Sequence, residues 1–550
     1  MNTSANIATT MMTGHAAMAR TLADCGVDTM FGVLGDANMY YVSEFLKLPD
    51  THYVGSAIES GALGMADGYA RTTGRVGVAS VTHGPGAANC INAIIEAVRA
   101  RTSLVLLCAD PPPVKHYPQE IDLPSLFGGT GARYHVVLAP EHLVEDIESC
   151  IALASRARVP VVLNVPWRIA DGEVPYQPQS PVGPTIRGGN PSLDDLDEAL
   201  GVILSARRPL VVAGRGAVEA GAGPALSRLA DLLGAPLATT AGAKDLFKGH
   251  PYNLGLTGDV SAAWAFDVMN ESDCVIAFGA SLTQFSTSNY SLLRSRRVVR
   301  CDTDPTKFGL YWRADVNLCF DARATAEAMI GQIEAAGTAP SPFRINALGE
   351  GTLSRNPREE FVDQSSSEFI DMRAAMVQLE ELLPANKTLV SDGGRFKIAP
   401  WRYLHVEDSK RFVQTLGAWG SIGLAIPVAI GSAVAFPGDL TVCACGDGGA
   451  MMSLIEFSTA VRQGLRLVLI VMNDGAYGPE VVRLQARGYD PAPSLIAWPE
   501  FAAVAEAMGG HARTVRSVAD LVGLRELIAD LDRPLLIDFK CDPFVDPRVF

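Results

Sequence analysis

Short apolar runs alternate with helical patterns along almost the whole chain, and no other feature limits the fold as strongly. An apolar run of strand length, bounded by turn residues and followed by a helical stretch, is the repeating unit of a helix-covered parallel sheet. The chain therefore reads as α/β, with doubly wound domains built on mainly parallel sheets. In the first third the strand candidates are Thr29–Val33, Val76–Thr82, Ser103–Cys108 and Val159–Val165, with helical patterns at Glu59–Arg71 and Ala87–Ala100. A second set, Pro209–Ala213, Cys274–Phe278 and Arg297–Asp302, ends near Gly331. The third set is Thr388–Ser391, Thr441–Cys445, Arg466–Met472 and Leu535–Phe539. Two stretches break the alternation and read as linkers: Gln177–Pro191, rich in Pro and Gly, and the polar, aperiodic segment from Thr338 to about Ser367. They divide the 550 residues into three domains, 1–180, 190–335 and 365–550.

Composition removes several classes of function. A formal charge of −15 leaves no basic block to displace phosphate counterions, so nucleic acid is not an expected partner. No uninterrupted apolar run reaches the roughly 20 residues that span a bilayer. The first residues lack a basic region followed by an apolar one, so no secretory signal is expected. Ten cysteines are scattered without a CxxC pair, which suits core thiols in a reducing compartment. A soluble, cytoplasmic enzyme is the expectation.

The segment from Val442 to Glu480 carries the most chemistry. One apolar strand runs into Gly446-Asp447-Gly448-Gly449, and a second ends in Asn473-Asp474-Gly475-Ala476-Tyr477-Gly478. In a parallel sheet both ends reach the same edge, where open α/β sheets place ligands. Glycine amides at a helix start suit a phosphate. Two carboxylates beside them suit Mg2+, a hard ion that takes carboxylate, carbonyl, water and phosphate oxygens. Asp447, Asp474 and the Ala476 carbonyl could thus clamp a diphosphate through one metal ion. A lone GDGG is also an ordinary turn, and the second acidic strand end is what makes it a site.

This segment resembles the cofactor motif of thiamine-diphosphate enzymes, a GDG turn followed one strand later by an Asn pair, with Asp474 replacing the second Asn. Further segments are similar to the acetolactate synthase and 2-oxo acid decarboxylase group of that family. They are Ala57-Ile58-Glu59-Ser60-Gly61-Ala62 continuing to Arg71, Thr82-His83-Gly84-Pro85-Gly86 through Asn89, Trp419-Gly420-Ser421-Ile422-Gly423, and Gly214-Arg215-Gly216-Ala217-Val218. The resemblance implies a pyrimidine-binding first domain, a central domain and a diphosphate-binding last domain. It makes the chain a lyase or transferase that decarboxylates a 2-oxo acid, joins an acyl unit to an aldehyde or second oxo acid, or does both.

By the same resemblance Glu59 is the cofactor activator, bonded to N1′ of the pyrimidine. A carboxyl in an apolar, small-residue helix start is costly to bury without a partner. The Gly420 carbonyl would accept from the 4′-amino group and Ile422 would prop the two rings into a V. Gly394 and Arg395 fall where the group contacts the diphosphate, and Arg395 is a sensible phosphate partner. Gly446, Gly448, Gly449 and Tyr477 complete the cofactor set, with Asp447, Asp474 and Ala476 as metal ligands.

On the substrate side, Asp36 lies in Gly35-Asp36-Ala37-Asn38, similar to the GDxN turn of the decarboxylases. Glu480 follows Tyr477 where those enzymes carry a Glu, and His116 stands for one of their paired histidines. Asp36, His116 and Glu480 would form a proton relay. His83 sits in the turn beside the thiazolium. The group also implies a homodimer or homotetramer with active sites between subunits. The alternative is a flavin- or nicotinamide-dependent oxidoreductase, resting on Gly214-Arg215-Gly216 after a strand, a partial dinucleotide fingerprint. FAD is possible in the central domain but is not expected to be required.

Overall fold

The computed structural model describes residues 10–177, 189–415, 417 and 419–547. It contains three six-stranded parallel sheets and one short antiparallel pair, Thr10–Thr13 with Glu173–Tyr176. The first sheet comprises β1 (Thr29–Gly32), β2 (His52–Gly55), β3 (Gly77–Ser80), β4 (Leu104–Cys108), β5 (Arg133–Val136) and β6 (Val161–Asn164), in the order β2-β1-β3-β4-β6-β5. The central sheet comprises β7 (Pro209–Ala213), β8 (Leu237–Thr239), β9 (Asn253–Leu256), β10 (Cys274–Phe278), β11 (Arg297–Cys301) and β12 (Val316–Leu318), in the order β9-β8-β7-β10-β11-β12. The last comprises β13 (Lys387–Ser391), β14 (Phe412–Gln414), β15 (Leu440–Gly446), β16 (Leu467–Asn473), β17 (His511–Val515) and β18 (Leu535–Lys540), in the order β14-β13-β15-β16-β18-β17.

The outer sheets thus share one strand permutation, while the central sheet has the order common to dinucleotide folds. In each outer sheet the chain reverses direction of travel between its first and third strands. Ligands in such sheets bind in the crevice at the carboxyl ends beside that reversal. In the first sheet the crevice is flanked by the turns after β1 and β3, and in the last by the turns after β13 and β15.

Two helices join the outer sheets within the chain. Helix α1 (Glu59–Thr73) is built largely of small residues and ends at Gly74, whose φ of 75° takes the left-handed cap. Helix α2 (Ile91–Ala100) follows β3, and helix α3 (Ala425–Ala435) is apolar on nearly every side and almost wholly buried. Helices α1 and α3 cross backbone to backbone. A Cβ on Gly68 would lie 2.0 Å from the Val428 carbonyl oxygen, and one on Gly431 would lie 1.8 Å from that of Met65. Leu63, Met65, Val428 and Ile430 belong to one hydrophobic core with strand residues of both sheets.

The predicted strands are present with ends moved by one or two residues. The strands that the sequence pattern does not single out are β2, β5, β8, β9, β12, β14 and β17; all but β8, three residues long and buried inside the central sheet, lie at sheet edges. An edge strand buries only part of its surface, so it needs no continuous apolar run. The predicted helix Ala87–Ala100 is two pieces, Pro85–Ala88 and α2. Most of the first expected linker, 178–188, lies outside the described residues. The second contains a helix, Phe343–Leu348, whose Phe343 is buried in the central core, and Arg355 stacks on Trp264. This segment is therefore a packed strap, held by a few large side chains that periodicity does not reveal. Among the described residues, no helix is long and apolar enough to cross a membrane.

Candidate active site

At the crevice of the first sheet, register pairs Gly32 of β1 with Ser80 of β3, so the two following turns emerge together. Asn38, fully buried, locks the first turn: its Nδ2 donates to the Val33 carbonyl and Ser80 Oγ, both at 2.9 Å, and its Oδ1 accepts from Gly35 N at 2.7 Å. Asp36 is left exposed at the tip. In the second turn His83 is fully buried, with Nδ1 3.1 Å from Thr82 Oγ1 and its ring 5.3 Å from that of Tyr117. Its Nε2 has no partner. Burial lowers the His83 pKa, and the charge of Asp36 pulls the other way. The segment after β4 lies over this turn, since a Cβ on Gly84 would meet the Gln119 carbonyl oxygen at 2.4 Å. His116 sits exposed in that segment with a φ of 59°.

Glu59 opens α1 half-buried, and its carboxylate accepts from Asn89 Nδ2 at 2.9 Å. Asn89 thereby orients the group. Gly86 leaves room beside it, because a Cβ there would come 3.6 Å from Glu59 Oε1.

At the crevice of the last sheet, β15 pairs with β16 so that Gly446 lies opposite Met472. Asp447, the first residue of helix α4 (Asp447–Ser453), therefore emerges beside Asn473 and Asp474. Asp447 is 2% exposed and Asp474 8%. The Ala476 N–H donates to Asp447 Oδ2 at 3.2 Å and Gly448 N–H to Oδ1 at 2.7 Å. Ala476 forms a bridge with Leu495 in which the flanking bonds are Ile496 N to Gly475 O and Tyr477 N to Ser494 O. In that pattern the N–H and carbonyl of Ala476 both point away from Leu495, toward the side occupied by Asp447. Burial, and then the charge of Asp474, raise the Asp447 carboxyl to about 7.

Arg395, expected at the phosphate, has two of its three nitrogens engaged within the fold. Its Nη2 donates to Asp474 Oδ2 at 2.7 Å and its Nη1 to the Pro543 carbonyl at 2.7 Å, while its buried Nε has no partner. Burial raises the Asp474 pKa and Arg395 opposes it. The charge that Asp474 introduces in place of an Asn is thus matched within the fold. Several glycines are needed for close approach. A Cβ on Gly448 would meet the Tyr477 ring at 2.6 Å, one on Gly449 would meet Asp392 Oδ2 at 2.5 Å, and one on Gly446 would meet the Phe396 ring at 3.3 Å. Gly394 has a φ of 144° and lies against the same ring.

Gly420, φ 92°, has open space where a Cβ would be, and Ile422 is half-buried beside it. Sequence reasoning missed the residues that hold this turn. Asp392, fully buried, accepts from Gly423 N at 2.7 Å and Thr415 Oγ1 at 3.0 Å. From the first sheet's helix α2, Asn92 Nδ2 donates to Ser421 Oγ at 2.7 Å and Glu96 Oε2 accepts from Trp419 N at 3.1 Å. Glu96 also meets Arg71, which pairs with Asp67. Nothing local marks Asn92 or Glu96, because their partners are hundreds of positions away.

Asn89 is the side chain that binds the Glu59 carboxylate, and Glu480, at the start of helix α5 (Gly478–Ala486), is exposed with Arg483 at 3.5 Å. Among the described residues no hydrogen bond or ion pair joins Asp36, His116 and Glu480, and the charge of Asp36 acts on His83.

The donor set at the last crevice fits a diphosphate held through a hard cation. Two buried carboxylates and a backbone carbonyl supply oxygen, in surroundings where like charges need a counterion, and the cofactor's own oxygens and water would complete the shell. Among the described residues no cluster of three or more His, Cys, Asp or Glu could hold a metal alone. In the central sheet, the Gly214 turn is packed against Gly279, whose carbonyl oxygen lies 2.3 Å from where a Gly214 Cβ would be. Arg215 reaches out to the Ala100 carbonyl at the end of α2 at 2.6 Å.

Comparison with known proteins agrees with this geometry. The chain matches the descriptions "Thiamine pyrophosphate enzyme, N-terminal TPP binding domain" over residues 12–126, the central domain of the same enzymes over 196–329, and their C-terminal TPP binding domain over 392–539. It is 28% identical to a sulfoacetaldehyde acetyltransferase of Castellaniella defragrans, with 93% of this chain and 89% of that protein covered. It is 26% identical to a probable acetolactate synthase large subunit of Methanococcus aeolicus, covering 97% and 92% respectively. With a probable 2-ketoarginine decarboxylase of Pseudomonas aeruginosa it shares 28% identity over 93% of this chain and 90% of that one. These matches and the two crevices define a thiamine-diphosphate-dependent enzyme. The chain belongs to that family, in its acetolactate-synthase-like group, and nothing favours the oxidoreductase alternative. Its chemistry is the cleavage or formation of a carbon–carbon bond beside a carbonyl.

Proposed function

We propose that the enzyme decarboxylates a 2-oxo acid and passes the remaining acyl unit to an aldehyde, a second oxo acid or a proton, using Mg2+ with the diphosphate. The observation that carries this reading is the buried Asp447–Asp474 pair beside the Ala476 backbone, at the crevice where such a sheet binds ligands. Thiamine diphosphate, when bound, supplies an acidic carbon that adds to a carbonyl and stores the electron pair released when CO2 leaves. The relatives' names span acyl transfer, acetolactate formation and decarboxylation, which all use that capacity.

In this reading Asp447, Asp474 and the Ala476 carbonyl hold the metal. Gly394, Gly446, Gly448 and Gly449 let the backbone approach the diphosphate, and Tyr477 packs on Gly448. Arg395 neutralises Asp474 and offers its unpartnered Nε–H. Glu59, oriented by Asn89, holds a proton at the pyrimidine nitrogen, while the Gly420 carbonyl and Ile422 set the ring geometry. Asp36, His83, His116 and Glu480 face the substrate and move protons after CO2 departs. The domains are a pyrimidine-binding 1–180, a central 190–335 and a diphosphate-binding 365–550.

The sites lie between two copies of the chain, in a dimer or tetramer, with Glu59 from one and Asp447 from the other. Exposed apolar side chains support this, since they border both crevices: Leu34 and Ile58 beside Asp36 and Glu59, and Trp419, Met452 and Ile455 beside Gly420 and α4. The ten free thiols suit the reducing cytoplasm.

The test is a screen of 2-oxo acids with thiamine diphosphate and Mg2+, scored for CO2 and for ligated products. At least one acid should release CO2 only when both additions are present. Turnover that ignores the cofactor would overturn the reading.

A further inference from the structure

Helix α1 begins without a cap of its own. Its N-cap residue, Ile58, has no side-chain oxygen to offer the free N–H groups of the first turn. The N–H groups of Ala57 and of Ile58 itself are instead taken up from the last sheet's side of the same chain. Glu456 is fully buried and ends the 3-10 turn Leu454–Glu456 that continues helix α4. Its Oε1 accepts from Ser56 Oγ at 2.6 Å, Ala57 N at 3.1 Å and Ile58 N at 3.1 Å, and its Oε2 from Ala57 N at 3.2 Å and Thr459 Oγ1 at 2.6 Å. The two backbone N–H groups can only donate, and Glu456 is the side chain that accepts from them. Gly61 makes the approach possible, since a Cβ there would fall 2.0 Å from Glu456 Oε1. Arg462 completes the grip, with Nη2 donating at 2.8 Å to both Thr459 Oγ1 and the Gly55 carbonyl at the end of β2.

We propose that Glu456 is a positioning residue for Glu59. It clamps Ser56–Ile58, the residues immediately before Glu59, and so sets where the Glu59 carboxylate stands at the pyrimidine end of the cofactor. The inference rests on the role proposed above for Glu59. It adds that the helix bearing Asp447, which serves one site of a dimer, carries the clamp for Glu59, which serves the other. A carboxylate misplaced by about 1 Å can cost on the order of 100-fold in rate.

The test is hydrogen–deuterium exchange at the reactive carbon of bound thiamine diphosphate, without substrate, in Glu456→Gln. The substitution keeps the side chain's shape and halves its acceptors. Exchange should slow about 10- to 100-fold, while diphosphate affinity and thermal midpoint stay near wild type. Glu456→Asp, which restores the charge at a shorter reach, should recover part of the rate.

Mixed dimers then locate the effect. A Glu456→Gln chain paired with an Asp447→Ala chain should regain one site of wild-type rate, because the intact Glu59 meets the intact Asp447. Paired with a Glu59→Gln chain it should regain none above the Glu456→Gln rate. Wild-type exchange in folded Glu456→Gln, with Glu59→Gln inactive, overturns the proposal. So does rescue by the Glu59→Gln partner in place of the Asp447→Ala partner, which would put the defect on the metal side. Failure of the Glu59→Gln with Asp447→Ala control instead refutes the shared site, and the Glu456→Gln single-variant rate still decides the role of Glu456.

Discussion

Replacing Arg395 by Met removes the guanidinium that faces Asp474. The two side chains are 3% and 8% exposed and meet at 2.7 Å, so neither charge has water to fall back on. Removing one partner of a buried pair typically costs about 3–5 kcal/mol, most of it the penalty of the charge left behind. Asp474→Asn should cost less, because the amide oxygen can still accept from Arg395. The double variant, with neither charge, should be better than the sum of the two losses by about 2 kcal/mol or more. The unfolding of so large a chain need not be two-state, so the readout is the hydrogen-exchange protection of the β15 and β16 amides in protein freed of cofactor and metal. Adding thiamine diphosphate with Mg2+ should shrink the Arg395→Met deficit, since the cation then faces the same carboxylate. Strictly additive losses in the double variant would show that Arg395 does not serve to neutralise Asp474.

Four further outcomes follow from the geometry. Asp447→Ala should abolish diphosphate and Mg2+ binding in calorimetry, and unchanged affinity would remove the site assignment. Glu59→Gln should stop cofactor C–H exchange, while Glu480→Gln should leave it intact and slow only steps after substrate addition, by about a hundred- to ten-thousand-fold; a swap of these phenotypes would refute the division. Burial raises the Glu96 carboxyl to about 7, with Arg71 pulling down and Asp67 pushing up. A carboxyl raised in the fold adds stability while protonated and withdraws it as pH rises through its folded value, so wild type should lose thermal stability against Glu96→Gln as pH climbs from about 5 to 8, and a flat difference would contradict this. Gly68→Ala, whose Cβ would sit 2.0 Å from the Val428 oxygen, should cost about 1–3 kcal/mol and lower the thermal midpoint; an unchanged midpoint would mean the α1–α3 crossing yields freely.

Much of the fold was legible because strands buried on both faces must be apolar, and the turns after them must be polar or Gly-rich. The interior strands β3, β4, β7, β10, β15 and β16 announce themselves in this way, as do the turns at Gly446–Gly449 and Asp474–Tyr477. Glu59 and Asp447 stand out for a related reason, as acids where burial makes an acid costly. Edge strands such as β2 and β14 carry no such signal, because half their surface makes no demand on the sequence. The strap around Phe343 is silent as well, since a few large side chains anchor it without any period.

What only the tertiary structure decided is which groups meet. Arg395 looks like a phosphate ligand in the sequence, and nothing in that pattern reveals that packing also pairs it with Asp474. Glu456, Asn92 and Glu96 look like ordinary helix residues. Each acts on a turn hundreds of positions away, because the close crossing of α1 and α3 brings the two crevice walls of one chain against each other. Local pattern records the cost of burying a residue, and that cost is the same whatever the partner. The identity of the partner depends on how whole helices and sheets dock, and no run of neighbouring residues contains it.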